Sequence, residues 1–227
     1  MRGALQFLTI LPVPAPPQPP GRAAWAFPLV GILLGLVLAP LWPWKLGPLA
    51  IVILLAILTG GLHEDGLADV CDAVRAYRSR EKMLLILRDS RIGAHGAAAL
   101  VCSLLFRWQA LAGMQGNVWL RLPAALGLSR AFMVLLAAWA PAAGEGLGRA
   151  FGESLPRGAA VVALGQAGLL AALCGWPAGA AALAANLLLL AAMRRWFQER
   201  LGGVTGDCLG AMCQVSEAVT LGVLAWA

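Results

Sequence analysis

Long uncharged stretches separated by short polar ones set the pattern of this chain. Ala23–Trp44 carries no charge and ends at Pro40 and Pro43, and Leu46–Leu62 is the next uncharged run. Ile92–Met114 is interrupted by His95 and Arg107, and Leu122–Ala140 by Arg130. Gly158–Met193 is uncharged throughout, too long for one crossing, and breaks naturally at Gly175-Trp176-Pro177. Cys208–Ala227 closes the chain with Glu217 inside it. A helix needs about 20 apolar residues to cross a bilayer. The pattern therefore predicts an all-α, polytopic integral membrane helical bundle of about seven transmembrane helices, forming one domain over residues 1–227. Phe7-Leu8-Thr9-Ile10-Leu11, followed by a proline-rich turn, reads as a short interfacial helix.

Composition agrees. The chain of 227 residues is 60% hydrophobic and 12% charged, whereas soluble domains carry roughly 45–50% apolar and about 25% charged residues. This excludes disorder and argues against a soluble enzyme. Its 27 glycines suit closely packed membrane helices. The five cysteines form no CxxC pair, so neither a disulfide framework nor a zinc site is expected.

The net charge of +6 first suggests nucleic acid or an anionic surface. The cations are instead sorted by side. With the N-terminus inside, Arg2, Arg22, Arg75 to Arg91, Arg149, Arg157 and Arg194 to Arg200 share the cytoplasmic face, and Lys45 stands on the other. That is the positive-inside pattern. It predicts a cytoplasmic N-terminus in a bacterial inner (cytoplasmic) membrane, with the lipid bilayer as partner and no nucleic acid.

The acids concentrate as well. Of the 11 acidic residues, six lie within residues 63–95, so a catalytic site would lie in the cytoplasmic segment 63–92, between the second and third spans. Asp65, Asp69 and Asp72 are spaced i, i+4, i+7, which places them within an arc of about 60° on one helix face. Three carboxylates on one stripe repel unless a cation sits among them, and hard oxygens of this kind suit Mg²⁺. The alternative is a solvated acidic face. His63 beside the stripe is a candidate general base or a structural hydrogen-bonding group. Glu64 is open to both roles as well.

Two further clusters fall at the same expected face. In Arg88-Asp89-Ser90-Arg91, the arginine forks suit phosphate or anchor the membrane edge. Asp89 and Ser90 suit a helix cap, with Asp89 also a candidate metal ligand. In Gly202-Gly203-Val204-Thr205-Gly206-Asp207, a glycine-rich turn feeds a helix whose N-terminal N–H groups attract anions. Gly203, Thr205 and Gly206 are candidate phosphate contacts there. Asp207 would either cap the helix or complete a metal site with the first stripe. Arg130 and Glu217 lie inside spans, where ionisable groups are costly and are usually paired or functional. They are candidates for a mutual pair or for substrate contacts. Carboxylates, arginines and helix N-termini together describe Mg-assisted phosphoryl transfer, without naming a substrate.

The clusters together resemble the cobalamin synthase family, the adenosylcobinamide-GDP ribazoletransferases. The resemblance rests on Phe7-Leu8-Thr9 with Leu11-Pro12-Val13-Pro14, on Phe27-Pro28-Leu29-Val30-Gly31, and on GGLHEDGLADVCDAV at 60–74. It continues through RSREKMLLILRDSRIGAHG at 78–96, Ser129-Arg130, Gly144-Glu145-Gly146-Leu147-Gly148 and GGVTGDCLGA at 202–211. Cys71 and Cys208 depart from it mildly. The resemblance implies a membrane transferase of cobalamin (cobamide) biosynthesis. It would join adenosylcobinamide-GDP to α-ribazole, or α-ribazole 5′-phosphate, and release GMP with Mg²⁺ as cofactor. Homo-oligomers or contacts with other cobamide-assembly enzymes are compatible with it. On this reading Asp65, Asp69, Asp72, Asp89 and Asp207 are the metal candidates. His63, Glu64 and Asp65 are the catalytic candidates. Arg88, Ser90, Arg91, Arg130, Gly203, Thr205, Gly206 and Glu217 are the substrate or phosphate candidates.

Two rivals fit less well. Asp65-Gly66-Leu67-Ala68 opens like a CDP-alcohol phosphotransferase signature, but the later Gly-x3-Asp-x3-Asp of that signature is missing. A transporter would scatter polar residues through several spans, whereas here they gather at one expected face.

Overall fold

A helix that is apolar on every side belongs in the interior, and Val118–Trp139 is such a helix, buried continuously from Leu122 to Ala137. The other elements are arranged around it. The computed structural model describes residues 1–75, 79–89 and 91–226. In chain order the described helices are α1 (Arg2–Leu8), α2 (Phe27–Leu38), α3 (Gly47–Leu58), α4 (Leu62–Arg75), α5 (Arg80–Ile86) and α6 (Ala94–Ala112). They continue with α7 (Val118–Trp139), α8 (Leu147–Glu153), α9 (Ala159–Leu173), α10 (Ala178–Leu201) and α11 (Gly206–Trp226). Tight 3₁₀ turns at Pro20–Ala26 and Ala39–Leu41 extend α2 at both ends. Among the described residues the extended pairing is an isolated parallel bridge between Ala142 and Val204.

Small residues decide how closely the helices approach. Gly31 and Gly35 lie one turn apart on α2 and face the backbone of α7. A Cβ at Gly31 would stand 2.2 Å from the carbonyl oxygen of Leu126, and one at Gly35 would stand 2.4 Å from Cα of Pro123. α10 is pinned to α11 by polar groups. Buried Asn186 donates to Thr220 Oγ1 at 2.9 Å and accepts from the Ser216 hydroxyl.

Four helical segments are long and apolar enough to cross a membrane: Pro20–Leu41, Val118–Trp139, Ala178–Leu201 and Gly206–Trp226. They correspond to the first, fourth, sixth and seventh predicted spans, and the chain is a multi-pass, all-helical membrane protein. The remaining three predicted spans take other forms. The fifth is α9, apolar but only 15 residues long, and it ends at the expected Gly175–Pro177 break. The third is α6, 19 residues with Arg107 buried inside it.

The second predicted span, Leu46–Leu62, differs most. α3 stops after 12 residues, and Gly60 (φ 64°) and Gly61 (φ 68°) adopt the left-handed conformation that glycine tolerates. The chain turns by 88° into α4. α4 carries Glu64, Asp65, Asp69 and Asp72 in 14 residues and is not itself a membrane-spanning segment. Nor does it stand off the bundle. His63, Glu64, Gly66, Leu67 and Ala68 are buried, because Gly66 lets the helix lie directly on the start of α11.

The α2–α7 contact yields a test. Gly31→Ala should destabilise the detergent-solubilised protein by about 1–3 kcal/mol, since its new methyl meets backbone that cannot move aside. Gly165→Ala on α9, where a Cβ meets nothing within 4 Å, is the control. A thermal unfolding midpoint as high for Gly31→Ala as for the control would contradict this packing.

Candidate active site

Two helices bring carboxylates from distant parts of the chain to one place. A Cβ at Gly66 would lie 2.7 Å from the carbonyl oxygen of Asp207, and one at Gly210 would lie 3.4 Å from Cα of Gly66. The backbones therefore touch, and Asp65 and Asp69 on α4 stand beside Asp207 on α11. The electrostatics confirm the grouping. Partial burial, and then the charges of Asp65, Asp207, Asp72 and Asp89, raise the pKa of Asp69 to about 7. The charges of the other four aspartates singled out in the sequence thus reach Asp69.

They are not equivalent. Asp72 accepts the backbone N–H groups of Gly93 at 2.7 Å and Gly96 at 2.9 Å, so it caps α6 from a neighbouring helix. Gly93 and Gly96 are small for this reason: a Cβ at either would come within 2.4 Å of the Asp72 carboxylate. Asp89 accepts from the Arg91 guanidinium at 2.6–3.1 Å in an exposed pair. Among the described residues, Asp65 and Asp69 receive no such bonds. Asp207 accepts one from the Thr205 hydroxyl at 3.2 Å. Among the described residues no three His, Cys, Asp or Glu side chains already stand at coordination spacing. The donor set nevertheless fits Mg²⁺, which commonly takes one or two carboxylates and leaves other positions to water and substrate phosphate.

A cleft opens at this junction. Its polar lining is His63 and Asp65 from α4, Thr205 and Asp207 at the start of α11, Arg88, Glu145, and Arg149, which donates to Glu153 at 2.7 Å. Thr205 begins α11, its hydroxyl accepting the Cys208 N–H at 3.3 Å, and Gly206 also lines the cleft. His63 is buried, and its Nε2 has no hydrogen-bond partner among the described residues. Burial, reinforced by the charges of Arg130 and Arg107, presses its pKa well below the ordinary value, so the ring is neutral.

Other candidates are placed differently. Gly203 packs against the backbone of Pro141, where a Cβ would meet the carbonyl oxygen at 2.3 Å, and it serves loop closure (φ 152°). The exposed Arg91 is engaged by Asp89. Ser90 lies outside the described residues. Arg130 and Glu217 do not line the cleft. They belong to a buried cluster in which Arg107 donates to Glu217 at 2.9 Å and to Glu64 at 3.1 Å, while Arg130 donates to the other oxygen of Glu217. Arg130 also donates to the Ser129 hydroxyl at 2.9 Å. Glu64, a catalytic candidate, thereby has one carboxylate oxygen engaged by Arg107. Two arginines and two glutamates from four helices balance one another, as charges in an apolar interior must.

Sequence reasoning passed over Arg107 and Arg149. Arg107 carried the same signal as Arg130 and Glu217, an ionisable residue inside an apolar run. Arg149 stood beside the quoted Gly144–Gly148 motif without any pattern of its own. The aromatic side of the cleft, Phe7 and Phe151, comes from elements about 140 residues apart in sequence and had no local signal.

Comparison with known proteins places the chain among relatives. The family profile described as cobalamin-5-phosphate synthase matches residues 1–225. An adenosylcobinamide-GDP ribazoletransferase of Herpetosiphon aurantiacus is 39% identical, over 98% of this chain and 94% of its own length. Proteins of the same name from Pseudomonas aeruginosa and Rhizobium johnstonii are each 42% identical, covering 98% and 91% of this chain and 96% and 86% of their own. No solved structure matches the chain.

Two measurements probe this electrostatic arrangement. Arg107→Met strands Glu64 in the interior, and removing one partner of a buried pair costs about 3–5 kcal/mol. The double variant Arg107→Met/Glu64→Gln should recover part of the lost thermal midpoint, and an additive double would refute the pairing. Asp69 is the opposite case, a group whose folded pKa is raised. The cost of its burial and repulsion is absent below the unfolded value near 3.8, accumulates as pH rises toward about 7, and is complete above that. Asp69→Asn should therefore raise the midpoint of the metal-free protein at pH 8 and leave it unchanged near pH 4. A lower midpoint at pH 8 would contradict the crowding.

Proposed function

The chain belongs to the cobalamin-5-phosphate synthase family, and on that premise we propose that it joins adenosylcobinamide-GDP to α-ribazole, or α-ribazole 5′-phosphate, with release of GMP. The observation that carries the reading is the meeting of Asp65 with Asp207 in one cleft that also holds Arg88 and Arg149, with Asp69 close enough to feel the charge of both carboxylates. A diphosphate substrate brings negative charge that these arginines attract, while the carboxylates call for a cation between themselves and the phosphates. Asp65, Asp69 and Asp207 would hold Mg²⁺, which when bound neutralises charge on the diphosphate and its leaving group.

The chain's own groups account for the rest. A ribose hydroxyl of the acceptor attacks the phosphorus joined to cobinamide, a new P–O bond forms, and the bond to the GMP oxygen breaks. His63, neutral and with Nε2 unengaged, takes the hydroxyl proton. Arg88 and Arg149 hold phosphate oxygens, and the N–H groups opening α11 at Gly206 and Asp207 face the same charge. Asp72 and Asp89 act at longer range, since each is already bonded to protein donors. The loop cations support a site facing the cytoplasm of a bacterial inner membrane.

Purified full-length protein, given Mg²⁺ and both substrates, should release GMP and form the corrinoid product. Asp65→Ala should lower turnover by roughly 10²–10³-fold, as for loss of one preorganised electrostatic group. Wild-type protein that releases no GMP overturns the function, and near-normal turnover by the variant removes Asp65 from the machinery.

A further inference from the structure

The cleft has a second, apolar part that the reaction just described does not use. Phe7 of α1, Leu84 and Leu87 beside α5, Met133 of α7 and Phe151 of α8 all line it. Three rings back this surface. Phe7 stacks on Phe27 with centroids 5.4 Å apart and an interplanar angle of 25°, and both pack against Phe151 at 6.1 Å and 5.4 Å. Phe27 and Phe151 are buried, whereas Phe7 is half-buried at the cleft surface. A ring held by two others presents a rigid platform, the arrangement that favours a flat aromatic ligand.

The two substrates make different demands on such a surface. The guanine of the donor carries hydrogen-bonding groups around its edge, and burying them without partners is costly. The five side chains named here offer none. The base of α-ribazole is a fused aromatic system with an apolar rim, which such a surface accepts at no polar cost. We propose that Phe7, Leu84, Leu87, Met133 and Phe151 form the acceptor subsite, taking the aromatic base of the ribazole while its ribose lies toward His63 and Asp65. The subsite selects N-ribosides of apolar fused aromatic bases. The assignment rests on the transfer reaction proposed above.

Phe7→Leu, which keeps an apolar side chain but removes the ring, and Leu84→Gln, which places an amide on a partly exposed position of α5, test it in the full-length protein. Each should raise KM for α-ribazole about tenfold, as expected for loss of one aromatic or apolar face. KM for adenosylcobinamide-GDP and the thermal midpoint should stay near wild type. With wild-type protein, free benzimidazole should compete with α-ribazole and adenine should not. A rise in the donor KM alone, two unmoved KM values, or equal competition by adenine would each overturn the subsite. Should wild-type protein release no GMP, the reaction fails first. Equilibrium dialysis of α-ribazole against wild type and the two variants then decides the subsite by itself, with weaker binding to both variants expected and equal binding overturning it.

Discussion

Four buried charges hold this bundle in register. Glu64 comes from α4, Arg107 from α6, Arg130 from α7 and Glu217 from α11, and the hydrogen bonds among them join all four helices. Their worth lies less in net stability than in exclusivity. A buried pair often gains little over a well-packed apolar one, but a helix that slips by one turn leaves a charge with no partner. The cluster therefore restricts α4 and α11 to the one registration in which Asp65 and Asp69 meet Asp207.

The glycines are the steric half of the same constraint. Gly60 and Gly61 turn the chain sharply after α3, and Gly66 and Gly210 let α4 and α11 touch through their backbones. A side chain at Gly66 would meet the carbonyl oxygen of Asp207 at 2.7 Å and push apart the helices that bring Asp65 and Asp207 to one cleft. The tight contact half-buries Asp69 and crowds it with like charges, which together raise its pKa to about 7.

The apolar runs foretold the helical membrane bundle well, because hydrocarbon demands apolar side chains over a fixed length whatever the neighbours are. The runs that became α2, α7, α10 and α11 obey this directly. Leu46–Leu62 did not, because hydropathy registers apolarity but not the backbone freedom of a glycine pair. The acidic stripe was legible by helical periodicity. The division of labour along it was not: whether an aspartate caps a neighbouring helix, as Asp72 does, depends on groups more than 20 residues away.

What the sequence alone determined is the class of molecule and its chemical inventory: an all-helical membrane chain with aspartates at helical spacing, arginines nearby, a glycine-rich turn before the last helix, and a recognisable family resemblance. Periodicity, charge and composition are properties of the chain itself. Which groups meet was set by how the helices pack. That packing gave Arg130 and Glu217 to a buried cluster with Arg107 and Glu64, turned Arg91 toward Asp89, and set Phe7 beside Phe151 at the cleft. Those outcomes follow from helix packing, where a contact is fixed by the fit of two distant surfaces and leaves no local trace in either.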